Sequence, residues 1–493
     1  MERSSGILLP ISSLPSPYGI GTFGKAAYDF ADFLKACGQK FWQVLPLGPT
    51  SYGDSPYQSF STYAGNPYFI DLDMLIEEGL LTEEEVTAEN WGSNPRYVDY
   101  GQVYSSRFKV LKLAKERGYD KAKAEIEDFK NQNPWLENYA LFMALKNHFN
   151  QASWLQWDED IRLRRPEALD RYRGELSEDI ELYVYIQYLF FKQWTKLKKY
   201  INDLGIQIIG DLPIYVALDS ADVWSEPHFF KLDEKNYPVE VSGVPPDYFS
   251  EDGQLWGNPI YDWQAMKNDG YGWWIRRIDG AGKLYDMIRI DHFRGFDEYW
   301  AVPAGEKTAK NGQWKKGPGM ELVGLLSNWF PNIKFIAEDL GAPSPTVVQL
   351  LKDSGWPGMK VLSFAFDSGE PNDYQPHTYS PNCICYSGTH DNASIMEWYE
   401  DALEKDRDYA CKYLGIGEEE GFNWGIIRGG MSSVANLFVA QLQDYLGLGK
   451  YNRINTPGTD SGNWQWRTLS EELTEELAQK IHDMTVMYGR TSK

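Results

Sequence analysis

The chain has 493 residues, 42% hydrophobic and 24% charged, an ordinary globular composition that allows one large domain with insertions or two or three smaller ones. Its 71 acidic residues against 48 basic ones give a net charge of −23, which repels phosphate backbones and disfavours nucleic acid as a partner. No apolar run is long enough to span a membrane, mean hydropathy is −0.50, and residues 1–10 lack a signal-peptide pattern, so a cytoplasmic protein with no membrane partner is expected. Cys37, Cys383, Cys385 and Cys411 are too few and scattered for a disulfide framework, and read as four buried thiols in a reducing compartment. The 19 Trp and 32 Tyr offer flat faces with a polar edge, which suit sugar rings but also fill cores.

Ile7–Pro10 reads as a short strand, Lys25–Cys37 as a helix ended by Gly38, and Phe41–Leu47 as a second strand. This βαβ unit implies parallel pairing. Gly48–Asn66 is a long Ser/Tyr/Gly/Pro loop, and loops of that size in compact domains are usually functional. Residues 68–199 turn helical and charged and are expected to form a mostly helical insertion subdomain. Ile206–Ile214 is the third strand, ending in Asp211. A second long loop covers Val241–Asn258, with 243–258 as a lid over the site, and a broken helix follows over Trp263–Leu284.

The fourth strand lies in Asp286–Gly295, the fifth in Lys334–Glu338, the sixth in Met359–Phe366 and the seventh in Cys383–Ser387. Helices near Leu322–Trp329, Thr346–Asp353 and Ala393–Leu403 separate the later ones. The eighth strand is assigned to Asn463–Arg467, between a helix near Val434–Leu446 and a terminal helix from Ser470 to Tyr488. Eight strands alternating with helices close most naturally as an α/β (β/α)8 TIM barrel with large helical insertions, built from 1–67 and 200–493. An open doubly wound sheet competes, but the chain has no GxGxxG or GxxxxGK phosphate turn.

In the fourth strand Met287, Arg289 and Asp291 share one face and Ile288 and Ile290 the other. A parallel strand covered on both sides should be apolar throughout, so this Arg and Asp either pair or do chemistry. Asp211, Asp291, Glu338 and Asp391 all fall at strand C-terminal ends, where barrel active sites lie. Such acids could hold a metal, yet neither EF-hand spacing nor HExxH occurs, and no metal or cofactor is expected. Glycoside chemistry fits better, because it needs one protonated and one ionised carboxyl. Arg289 would hold Asp291 ionised, while burial behind Phe335-Ile-Ala would keep a proton on Glu338.

The motifs Trp42-Gln-Val-Leu-Pro-Leu-Gly-Pro49, Gly210-Asp-Leu-Pro-Ile214, Pro245-Pro-Asp-Tyr-Phe-Ser250, Arg289-Ile-Asp-His-Phe-Arg-Gly295, Ala337-Glu-Asp-Leu-Gly341 and Gly388-Thr-His-Asp-Asn392 lie along almost the whole chain. Together they resemble the 4-α-glucanotransferases of the amylomaltase (disproportionating enzyme) family, in the wider α-amylase superfamily. The resemblance implies Asp291 as nucleophile, Glu338 as acid/base and Asp391 as transition-state stabiliser. It also implies sugar contacts from Tyr57, Asp211, Arg289, His292 and His390, and an acceptor side made by Tyr248, Phe249, Trp256, Asp367 and Asn463. A second glucan groove would involve Tyr52 and Tyr100. The implied reaction moves α-1,4-glucan segments from maltooligosaccharide or longer donors to the 4-hydroxyl of glucose or another glucan, with retention. An α-amylase-like hydrolase is the alternative.

Overall fold

A computed structural model describes residues 2–51, 53–246, 250–341, 343–369 and 372–491. Twelve strands are found among them: β1 (Ser4–Leu8), β2 (Phe41–Gln43), β3 (Gln207–Pro213), β4 (Glu240–Val244), β5 (Gln254–Pro259), β6 (Met287–Asp291), β7 (Glu298–Pro303), β8 (Gln313–Lys316), β9 (Lys334–Ala337), β10 (Gly358–Val361), β11 (Cys383–Tyr386) and β12 (Leu437–Gln441). Eight of these form an all-parallel sheet in the order β10-β11-β12-β1-β2-β3-β6-β9. Its two ends meet: Ala337 N, closing β9, donates to Pro357 O at 2.9 Å, just before β10. Met359 N donates to Asp339 Oδ1 at 2.7 Å across the same seam. The result is a nearly closed (β/α)8 barrel, with helices such as Lys25–Ala36, Gly272–Leu284 and Pro345–Ser354 joining its strands.

The eighth barrel strand is β12, inside the stretch expected to be helical, and Asn463–Arg467 is irregular apart from one bridge between Trp466 and Tyr97. Leu437-Phe-Val-Ala-Gln441 is wholly buried, a pattern that serves a core helix or a central parallel strand equally well. Pairing with both β1 and β11 decides it, and Phe422–Ser432 supplies the crossover helix. Trp464 takes a left-handed backbone, φ 65°, which no extended strand accommodates. The thiols need one correction as well: Cys37, Cys383 and Cys385 are buried, but Cys411 is only partly so.

Residues 67–203 contribute helices and no strand among the described residues. The long helix Ser177–Asp203 ties this region to the barrel through paired amide contacts. Gln187 accepts from Gly65 N at 2.7 Å and donates to Gly65 O at 2.9 Å. Gln193 does the same at Asp71, at 2.7 and 3.1 Å. The far end of the 48–66 loop is thereby fixed. Its near end is held by Tyr285, whose hydroxyl accepts from Leu47 N at 3.0 Å. The Tyr285 ring lies so close to β3 that a Cβ on Gly210 would come within 2.1 Å of it, which explains a glycine in mid-strand.

The expected lid at 243–258 is partly regular. β4 and β5 pair antiparallel and join β7 and β8 in a second sheet, order β5-β4-β7-β8, inserted after β3 and after β6. Among the described residues no helix is long and apolar enough to cross a membrane.

Candidate active site

Parallel register brings the acids to one rim. On β3 and β6, Asp211 pairs with Arg289 and Pro213 with Asp291; on β6 and β9, Ile290 pairs with Ala337. Glu338 is thus one step beyond that last pair, opposite Asp291, on strands about 4.7–4.9 Å apart. Arg289 Nη1 donates to Asp211 Oδ1 and Oδ2 at 2.7 and 2.8 Å and to Asp291 Oδ1 at 2.9 Å. The Tyr57 hydroxyl donates to Asp211 Oδ2 at 2.8 Å, and its ring stacks on His390 with centroids 5.0 Å apart. His390 Nε2 lies 3.2 Å from Asp391 Oδ2, and Asn455 Nδ2 donates to Asp391 Oδ1 at 2.6 Å. One continuous polar chain therefore joins Asp291, Arg289, Asp211, Tyr57, His390 and Asp391.

Glu338 is held separately. Its Oε2 accepts from His292 N at 2.8 Å and its Oε1 from Leu340 N at 2.7 Å. His292 can present its N–H this way because its backbone is left-handed, φ 53°, immediately after β6. Burial pushes the Glu338 carboxyl up to about 7; Asp291 adds to the rise while Arg289 opposes it. Burial acts upward on Asp391 too, but His390 and the Asn455 hydrogen bond outweigh it and leave Asp391 well below the usual carboxylate range. Burial drags His390 down, yet Asp391 and Asp211 win and raise it. His292, by contrast, falls to about 4 through burial and stays neutral. Burial works against the charge on Arg289, but Asp211 and Asp291 hold it firmly protonated.

The remaining expected residues are less uniform. Trp256 meets His292 edge to face at 4.8 Å and, with Tyr215 6.4 Å away, forms an aromatic wall beside β6. Asn463 accepts from Thr456 N at 2.9 Å and donates to Thr459 O at 3.0 Å, pinning a loop rather than joining the acid network. Asp367 is exposed and accepts from Gly369 N at 2.8 Å in a local turn beyond β10. Tyr100 is buried and donates to Trp464 O at 2.7 Å. Tyr52, Tyr248 and Phe249 lie outside the described residues. Asn455, Arg453, Tyr215 and Trp464 were not anticipated as site residues. No strand-end pattern marks Arg453, Asn455 or Trp464, since 452–464 is neither strand nor helix, whereas Tyr215 follows the end of β3 by two residues and is apolar enough to read as core.

A parallel barrel with adjacent carboxyls at its strand ends, one of them retaining a proton near neutrality, defines an enzyme that works on glycosidic bonds. The family model described as 4-alpha-glucanotransferase matches residues 9–472. A 4-alpha-glucanotransferase from Clostridium butyricum is 50% identical over 97% of this chain and 99% of its own. One from Thermus thermophilus is 45% identical over 98% of each chain. Among solved structures, an amylomaltase from Streptococcus agalactiae in complex with acarbose covers 100% of both chains at 43% identity, with a TM-score of 0.98. The chain belongs to the 4-alpha-glucanotransferase family.

Proposed function

We propose that this 4-alpha-glucanotransferase works by a retaining double displacement in which Asp291 is the nucleophile and Glu338 the acid/base. Asp291 attacks the anomeric carbon of an α-1,4-glucan as the bond from that carbon to the leaving 4-oxygen breaks. Glu338 delivers its proton to that oxygen, and the reducing-end fragment departs. Glu338, now ionised, takes the proton from the 4-hydroxyl of an incoming glucose or glucan. That oxygen attacks the anomeric carbon, Asp291 leaves as a carboxylate, and the α-configuration returns. The observation that carries this reading is a carboxyl held near pKa 7 on the strand next to Asp291. Such chemistry needs the two carboxyls roughly 5–5.5 Å apart, the scale of one interstrand spacing.

In this reading Asp391, kept ionised by its partners, steadies the positive charge that develops on the sugar. Tyr57, Asp211, Arg289, His292 and His390 hold the donor ring, while Tyr248, Phe249, Trp256, Asp367 and Asn463 form the acceptor side. Maltooligosaccharides serve as donors, and glucose or a maltooligosaccharide as acceptor. Residues 1–67 and 200–493 act as the catalytic unit, 68–199 as a helical subdomain beside it, and 243–258 as the cover that favours sugar over water. The mean hydropathy and free thiols fit a cytoplasmic site of action.

Incubation with maltotriose tests transfer directly. A ladder of longer maltooligosaccharides with released glucose is expected; steadily rising reducing ends with shrinking chains would mean hydrolysis. Because Glu338 must enter the first step protonated, turnover should fall as pH rises through about 7. A pH–rate profile without that alkaline limb would remove Glu338 from the acid role.

A further inference from the structure

Residues 452–464 pass beside the loop after β11 without forming strand or helix, and they grip that loop from beyond the last barrel strand, β12. Asn455 N donates to His390 O at 3.1 Å, and its side-chain Nδ2 donates to Asp391 Oδ1 at 2.6 Å. Arg453 Nη2 donates to Asp391 O at 2.8 Å while its Nε donates to Asn455 O at 3.2 Å. The same guanidinium lies 3.7 Å from Glu397 on helix Ile395–Asp401. The segment is itself fixed. Asn452 O accepts from Gln443 at 3.0 Å, Asn452 Oδ1 accepts from Trp466 Nε1 at 3.0 Å, and Trp464 N donates to Ile454 O at 2.6 Å.

An aspartate carboxyl turns freely about its last torsion, because that rotation has only broad, shallow preferences. A single partner leaves it free to swing. Asp391 has a partner on each oxygen, His390 on Oδ2 and Asn455 on Oδ1, so its plane is set. We propose that Asn455 is a positioning residue for the transfer reaction: it fixes the Asp391 carboxylate toward the sugar in the transition state, and Arg453 keeps Asn455 and the Asp391 peptide in register. The proposal rests on the reading of Asp391 as transition-state stabiliser. It assigns a role to a segment that the strand-end pattern does not reach.

Asn455→Asp in the full-length enzyme is the test, because it keeps the shape and adds a carboxyl against Asp391. The charged and titratable groups around that point are His390 on the same loop, Arg289 on β6, Tyr57 on the 48–66 loop and Arg453, with Asp211 and Glu397 behind them. Two carboxyls in hydrogen-bond contact share one proton, and a proton held on the new group restores the missing donor. At about pH 8 that proton is lost, the two charges repel, and kcat should fall about a hundredfold, the usual effect of misplacing a reacting group by about 1 Å.

The ratio of variant to wild-type kcat should therefore climb as pH is lowered toward about 5. A ratio that stays flat, or wild-type kcat at about pH 8, overturns the proposal, since simple structural damage does not titrate. If circular dichroism shows that this variant does not fold, Asn455→Ser carries the test by removing the donor without adding charge. An about tenfold lower kcat at unchanged KM supports the proposal, and wild-type kcat overturns it. Asp391→Asn in the same assays checks the underlying reading independently. Full activity there removes the stabiliser role itself, whereas its collapse beside an unaffected Asn455 variant removes only the positioning role.

Discussion

Two arginines lie enclosed at opposite ends of the barrel, and their partners differ in kind. Arg289, at the C-terminal ends of the strands, faces the carboxylates of Asp211 and Asp291. Arg490, near the N-terminal ends, donates to backbone carbonyls: Ser4 at 2.7 Å, Met431 at 2.8 Å, Ala435 at 3.1 Å and Ser433 at 3.2 Å among them. Burial, helped by the neighbouring Arg3 cation, lowers Arg490 to about 10, so it keeps its proton, and the partners it donates to are dipoles. At one end buried charge is balanced by buried charge, in the cluster proposed to carry the chemistry. At the other, Arg490 stitches the chain's C-terminal segment onto β1 and the approach to β12, with Arg3 sharing the carbonyls of Met431 and Ser433, and so closes the seam between the first strand and the last. Desolvation opposes both sites, and only the nature of the partner separates a reactive cluster from a structural staple.

The comparison breaks if the two ends fail to respond differently. Asp291→Asn should cut turnover about 10⁴-fold with the circular dichroism spectrum unchanged, because in the proposed mechanism an amide cannot replace the carboxylate that attacks the sugar. Wild-type turnover in that variant would end the nucleophile assignment. Arg490→Leu should do the reverse. Several carbonyls lose their donor, so denaturant unfolding should show a loss of about 2–4 kcal/mol, while kcat per folded molecule holds. A fall in kcat without a fall in stability would mean that the two ends are coupled.

A pH-dependent effect sharpens the contrast within the acidic rim itself. Glu338 sits near 7 in the fold, against about 4.3 in an unfolded chain, so its ionised form is the one the fold resists. That destabilisation is absent below about pH 4, grows through about pH 7 and is complete above it. Glu338→Gln should therefore abolish acid catalysis. Since Gln does not titrate, the variant's stability relative to wild type should rise by about 3 kcal/mol between about pH 4 and about pH 8. The baseline is lowered by the one backbone N–H, of His292 or Leu340, from which the amide nitrogen of Gln cannot accept. Equal stability of variant and wild type at both pH values would show that the carboxyl is not held against its solution preference.

What the chain encodes locally was legible. Apolar strands that run up to Asp211, Asp291, Glu338 and Asp391 announce both a parallel sheet and the end of it at which four acids gather, because alternation and strand ends are short-range properties. Leu437–Gln441 was not legible as a strand, since an all-apolar run suits helix and strand alike until β1 and β11 present their edges. Nor was the pairing of β4 and β5 with β7 and β8, or the grip of Asn455 on Asp391, a contact across 64 positions of chain. Residue types and their periodicity state which groups are costly to bury. Only the closed barrel determines who stands next to whom, because hydrogen bonds and desolvation act through space and not along the sequence.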